Sequence, residues 1–354
     1  MLAKSCALAL LCLLTAILSF DSFAQQRCAT NEFMQLQREF RKEMESTQQF
    51  ENWLKRRREL KRTAAPDSRL LDIQDPIIRI PVVVHVIHRG EAPGVGVNIP
   101  DEQIFSQLTV LNEDFRRNNA DASNTPAVFM PVAADIEVEF ALAVRDPEGL
   151  PTNGIVRMNG GKSTWQLTDN YALKQLSYWP AEDYLNIYVI DLNDNFVGYA
   201  QFPESDLQGL ETASENPFTE GVIVDYKAFG SEALYPEADL IPSFNLGRTA
   251  THEVGHYLGL RHIWGDGGCG VDDFVSDTPA QGDNNGGLGS PCTFPGPNSC
   301  DTGPGDLPDM FQNYMDYTND VCLNLFTLEQ KVRMRTVMDN SPRRQSLAAS
   351  DGLT

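Results

Sequence analysis

His252-Glu253-Val254-Gly255-His256-Tyr257-Leu258-Gly259-Leu260-Arg261-His262, the stretch HEVGHYLGLRH, holds three of the chain's five histidines. Residues four apart on a helix share one face, so His252 and His256 can point at a single ion. Glu253 then sits beside the open position of that ion, where it can take a proton from the attacking water and hand it to a leaving amine. Gly259 lets the helix end and the chain turn, so that His262 can approach as a third ligand. Zinc favours imidazole nitrogen. The spacing predicts a zinc-carrying helix over 248–260 with Glu253 as general base.

Downstream, Asn313-Tyr314-Met315-Asp316-Tyr317 falls in a loop region. The eleven-residue pattern above is the extended metzincin signature, and such proteins need a methionine turn beneath the metal, which Met315 offers. Tyr317 would place its hydroxyl near the zinc and stabilise a tetrahedral oxyanion. The two remaining histidines, His85 and His88, lie on or beside a β-branched run and read as buried, hydrogen-bonded strand residues.

The ends of the chain read differently from its body. Lys4, the apolar run from Ala7 to Phe20 and the small-x-small site Ser22-Phe23-Ala24 form an export signal over 1–24, too short to span a bilayer. The product is expected to be secreted, without a membrane anchor and by default a monomer. Residues 25–68 carry ten basic and seven acidic residues, a net of +3. The whole chain stands at −21 and residues 1–24 are neutral, so 69–354 carry −24. A basic segment before an acidic body suggests electrostatic complementarity between them. The acidity excludes the basic footprint of a nucleic-acid binder. Two of the seven cysteines leave with the signal. Cys269, Cys292, Cys300 and Cys322 should form two disulfides in an exported protein, with three pairings open, and Cys28 is left as a free thiol.

Helical spacing of apolar residues predicts a helix over 30–62 and another over 101–119, the latter entered at Pro100. Strands are expected at 77–88, 136–144, 184–192 and 221–225. Residues 265–313 are rich in Gly, Pro, Asp and Asn and read as loops, and 327–338 as a closing helix. The mixture is α/β (α+β). Residues 63–76 read as an exposed linker, open to proteolysis.

From Ile77 to the closing helix the chain resembles the pappalysins, particularly their ulilysin-like microbial members. The resemblance is carried by HEVGHYLGLRHIWGD (252–266), DDFVSDTPAQ (272–281), NYMDYTNDVC (313–322) and GYAQFP (198–203). It implies a metzincin catalytic domain over 69–354, with a twisted, mostly parallel sheet, an active-site helix and a loop-rich lower subdomain. It implies zinc on His252, His256 and His262, Glu253 as base and acid, and Tyr317 as the oxyanion tyrosine. It implies disulfides Cys269–Cys300 and Cys292–Cys322. The loop 272–278 is similar to the family's calcium loop, with Asp273, Asp277 and Thr278 as ligands, oxygen donors that suit this hard ion. Asp320 stands where such members place an acid at the floor of the S1′ pocket, which implies cleavage of protein or peptide substrates before Arg, then Lys.

Arg27-Cys28-Ala29-Thr30 resembles the R-C-G-T cysteine switch of related zymogens, with Ala29 where Gly is usual. A thiolate is a good zinc ligand, so Cys28 would cap the zinc and 25–68 would be a pro-segment. An Arg-directed enzyme could release that segment itself at Ser68-Arg69, with the basic run 55–62 as the alternative. Two rivals remain on the sequence: a peptidase with a distant Glu as third ligand, which His262 makes unnecessary, and a catalytically inactive, calcium-stabilised binding module, which would have no need of Glu253.

Overall fold

The computed structural model describes residues 26–40, 44–64, 76–193, 195–207 and 218–354. The expected signal and the Ser68-Arg69 bond lie outside them. The chain opens on two helices, α1 (Thr30–Phe40) and α2 (Thr47–Ala64), rather than the single helix that the spacing predicted. The start of α2 is set by a reciprocal cap. Gln49 N–H donates to Ser46 Oγ (3.3 Å), and Ser46 N–H donates to Gln49 Oε1 (2.9 Å).

Strand β1 (Ile78–His88) is followed by helix α3 (Asp101–Phe115), strands β2 (Val138–Leu142) and β3 (Ile155–Asn159), and short helix α4 (Asn170–Leu176). Strands β4 (Leu185–Ile190), β5 (Gly198–Ala200) and β6 (Val222–Asp225) complete a six-stranded sheet of order β2-β1-β4-β6-β5, with β3 also paired to β1. β1 is central, with β2 and β3 sharing one of its edges and β4 on the other, all parallel. Only β5 runs antiparallel, against β6, at the sheet's end. Strands buried on both faces read as near-continuous apolar runs, and IPVVVHVI (80–87) in β1 does so, broken only by His85. β3 and β5 escaped the sequence reading because one is half-exposed and the other is three residues long.

One face of the sheet packs on α3 and on the helix α5 (Arg248–Tyr257). Ile104, Leu111, Phe115, Val254, Tyr257 and Leu258 share that core with Val84, Ile187 and Val224. Every residue of α5 is buried. The helix stops where Gly259 takes φ +93°, a left-handed conformation that a side chain would strain. Helix α6 (Leu328–Asn340) closes the chain behind a second capping box, Thr327 with Gln330. Between α5 and α6 the lower half is mostly loop, tied by Cys269–Cys300 and Cys292–Cys322.

His85 and His88 part company. His85 is fully buried between Ser177 Oγ (2.6 Å) and Asn186 Oδ1 (2.8 Å) and stacks on Tyr188, and burial pushes it down to about 4, so it stays neutral. His88 sits at the end of β1, only half-buried, accepting from Gly90 N–H. The strand's last residue has lost the covering that the sheet gives His85.

Gly255 lies where α5 crosses the loop beneath it, and a Cβ there would meet Met315 Sδ at 2.6 Å. Gly255→Ala should therefore cost about 1–3 kcal/mol of overpacking, lowering Tm by roughly 2–10 °C. A melting curve superimposable on that of the parent would show that Met315 does not brace the helix.

Candidate active site

α5 presents His252 and His256 one turn apart, and the turn at Gly259 brings His262 back beneath them. Each imidazole is oriented from behind through Nδ1. His252 faces Tyr314 O (2.7 Å), His256 faces Leu260 O (2.8 Å) and His262 faces Asp266 Oδ1 (2.6 Å). Carbonyls and carboxylates only accept, so Nδ1 must carry the proton on all three rings, and each Nε2 holds a bare lone pair. His256 Nε2 lies 3.0 Å from Nε2 of both His252 and His262. Lone pairs held that close with no proton between them repel, so the donor set fits a cation. Cys28 Sγ joins them, with all four ligand atoms within 4.8 Å of one another. Burial pushes His252 and His256 well below the ordinary histidine range, the neutral state that a metal needs.

Supports follow behind each ligand. Tyr314, whose carbonyl receives His252, donates its hydroxyl to Asp114 (3.0 Å) and accepts from Arg248 (2.6 Å). Asp114 also pairs with Arg248 and accepts from Thr251 (2.6 Å), which ties α3, α5 and the 313–317 turn into one buried network. Trp264 stacks flat on His262 at 4.4 Å, and the Tyr317 ring stands edge-on to His262 at 4.9 Å. Met315 is fully buried against Gly255.

Glu253 follows His252 and is fully buried. Its Oε2 accepts from Thr30 Oγ1 (3.0 Å) and Cys28 Sγ (3.4 Å), while Oε1 has no hydrogen-bond partner among the described residues. Burial pushes this carboxyl up to about 8. Burial and the Glu253 charge likewise raise the Cys28 thiol, and a cation among the imidazoles would draw both groups back down, leaving a thiolate and a carboxylate. The Tyr317 hydroxyl donates to Cys28 O at 2.9 Å.

The segment before α1 lies along the edge of the sheet. Gln26 bridges Phe196 in the parallel sense, Ala29 N–H donates to Gly198 O, and Thr30 Oγ1 accepts from Ala200 N–H. Arg27 points into the body, where Nη2 meets Asp320 Oδ1 (2.7 Å) and Thr318 O (2.8 Å), and its guanidinium covers the Phe244 ring. Both side chains of the pair are fully buried. Asp320 Oδ2 accepts from the backbone N–H groups of Leu246 (2.9 Å) and Arg248 (3.1 Å).

The 272–278 residues do not act as one set. Asp273 is buried and accepts from Val275 N–H (3.0 Å) and Thr278 Oγ1 (2.9 Å). Asp277 turns away to cap α6, accepting from Thr327 Oγ1 (2.6 Å) and Glu329 N–H (2.9 Å). Sequence reasoning missed Asp266, Thr30, Trp264 and the Asp114–Arg248–Tyr314 network. Asp266 alone had a readable signal, since a metal-binding histidine usually donates its other nitrogen to a nearby carboxylate.

The chain is similar to known proteins. The peptidase M43 family model, described as pregnancy-associated plasma protein-A, matches residues 168–339. An extracellular metalloprotease of Verticillium alfalfae is 32% identical over 281 residues, 77% of this chain and 81% of its own length. Among solved structures, mature mirolysin of Tannerella forsythia with a cleaved peptide is 43% identical, with TM-score 0.67 over 77% of this chain and 96% of that one. A point mutant of promirolysin from the same organism is 39% identical, with TM-score 0.69 over 91% and 97%. The fold, the metal-binding helix and these relatives together make the chain a zinc metalloprotease: it belongs to the pappalysin family.

Proposed function

We propose that this metalloprotease is exported as a latent endopeptidase, that residues 25–68 are a pro-segment removed on activation, and that the enzyme over 69–354 cleaves before arginine. One observation carries the reading: Arg27, Cys28 and Thr30 of a single short segment engage Asp320, the three histidines and Glu253 at once. Relatives named as extracellular metalloproteases support export, with 1–24 as the leader in this reading. Among the described residues no helix is long and apolar enough to cross a membrane. The promirolysin match extends over 91% of this chain where mature mirolysin extends over 77%, which supports a removable segment.

His252, His256 and His262 would hold zinc, a Lewis acid that polarises the peptide carbonyl and makes water acidic near neutral pH. Glu253 takes the proton of the attacking water on its carboxylate and returns it to the departing amine nitrogen. The Tyr317 hydroxyl, which grips the Cys28 carbonyl in the latent chain, turns its proton to the substrate's carbonyl oxygen as negative charge develops. Asp320, its second oxygen steadied by two backbone N–H groups, takes the guanidinium of the residue after the cleaved bond. In the pro-segment the arginine precedes the residue at the metal, whereas in a substrate it follows. The segment therefore fills the site in the reverse direction and presents no bond to cut. Calcium belongs to the same proposal through Asp273, a buried carboxyl that burial pushes up to about 8 and that a hard cation would keep ionised.

A panel of peptides differing only in the residue after the scissile bond tests these roles together. The processed enzyme should prefer Arg over Gln by about a hundredfold, and Asp320→Asn should remove most of that preference. The full chain should be silent, while full-length Cys28→Ala cleaves the Arg peptide before its segment is lost. Indifference to Arg, or a silent Cys28→Ala chain, would contradict the proposal. Calcium is read separately by melting. Saturating Ca²⁺ at about 100 times its Kd should add roughly 2.7 kcal/mol, a rise of several degrees that Asp273→Asn abolishes. An unchanged melt with and without calcium removes that ion from the account.

A further inference from the structure

The ion pairs between α2 and the body run mostly one way, helix base to body acid: Arg57 with Asp206, Arg58 with Glu329, Lys61 with Asp339. All three are partly exposed, and screened pairs of this kind contribute little. Glu51 runs the other way. Its carboxylate is buried and gripped by two body arginines, with Arg333 Nη1 and Nη2 both at 2.7 Å and Arg261 Nε at 2.8 Å. Against the upward pull of burial, the two guanidiniums hold this carboxyl below the ordinary glutamate range.

The body builds this grip. Arg333 is positioned by a bond from its Nε to Gly259 O (2.6 Å), and Arg261 lies over the Phe202 ring at 4.9 Å. Asp266 of the metal loop is committed to His262. When α2 departs, two guanidiniums that repel each other are left around a place shaped for one carboxylate, and a charge-assisted, two-pronged bond is the strong kind.

The edge strand fixes where this lies along a substrate. Its chain passes from Phe196, beside Gln26, through Ala200, beside Thr30 and Glu253, to Phe202 beneath Arg261. Arg27 and Asp320 mark one side of the metal, and Arg261 the opposite side. Phe202 is four residues beyond Gly198, a reach of at most about 13 Å at about 3.3 Å per residue. We infer that Arg261 and Arg333 form a carboxylate-binding subsite of the processed enzyme. Glu51 fills it in the latent chain, and a Glu or Asp side chain fills it in the substrate, two to four residues before the cleaved bond. This rests on the reading of 25–68 as a removable segment and of Asp320 as the pocket after the bond.

The test uses processed enzyme and peptides that all carry Arg after the scissile bond, with Glu, Gln or Lys at each of those earlier positions in turn. At one position Glu should raise kcat/KM about tenfold over Gln, and Lys should lower it further. In Arg261→Gln the Glu-to-Gln ratio should fall toward one, while the preference for Arg after the bond persists. Equal rates for Glu, Gln and Lys at all three positions, with Arg still required, would overturn this inference alone. Loss of the Arg requirement in the parent enzyme would overturn the reading beneath it, and this one with it. A second variant needs no folded Arg261 mutant. Glu51→Gln in the full chain should speed its conversion to active enzyme about tenfold, and an unchanged rate would contradict the role of Glu51.

Discussion

Three imidazole lone pairs aimed at one point are the constraint on which the site depends. The acceptors behind each Nδ1 leave the rings no choice of tautomer, so their Nε2 atoms repel unless a cation lies among them. Those acceptors come from three places: the 313–317 turn, the helix end after Gly259, and the loop at Asp266. Holding them in register requires α5 to be buried along its whole length and the Asp114–Arg248–Tyr314 network to lock it to α3. The parallel sheet and its core are, in this sense, the frame for one metal.

The N-terminal segment is complementary to that frame group by group. Its arginine meets Asp320, its thiol meets the metal ligands, its threonine hydroxyl meets Glu253, and a backbone carbonyl meets Tyr317. On the proposed mechanism each contact opposes a group that the reaction would use, so the segment would block the machinery without being turned over. Glu51 extends the same logic beyond the metal, to arginines that border the cleft's other side.

Much of this was legible in the sequence, for physical reasons that differ by element. The ligand helix could be read because metal geometry dictates spacing, and β1 because a strand buried on both faces is mostly apolar. Helix α2 was merged with α1, although Ser46 and Gln49 carry a capping box that separates them. β3 and β5 were illegible: a half-exposed strand and a three-residue edge strand leave no period to detect. Long-range partnerships were hidden altogether. Nothing local in Arg27 points to Asp320, nor in Glu51 to Arg333, because each partner lies hundreds of residues away. Asp277 carries a partnership of the same hidden kind: the acidic loop suggested a cation, and only the fold shows the side chain capping α6.

The central claim is that Cys28 and three histidines share one zinc ion in the intact chain. X-ray absorption at the zinc edge of the full-length, zinc-loaded protein measures this directly. The account predicts one sulfur at about 2.3 Å and three nitrogens at about 2.0–2.1 Å, with the sulfur lost on removal of the N-terminal segment. A shell of nitrogen and oxygen alone in the intact chain would contradict it.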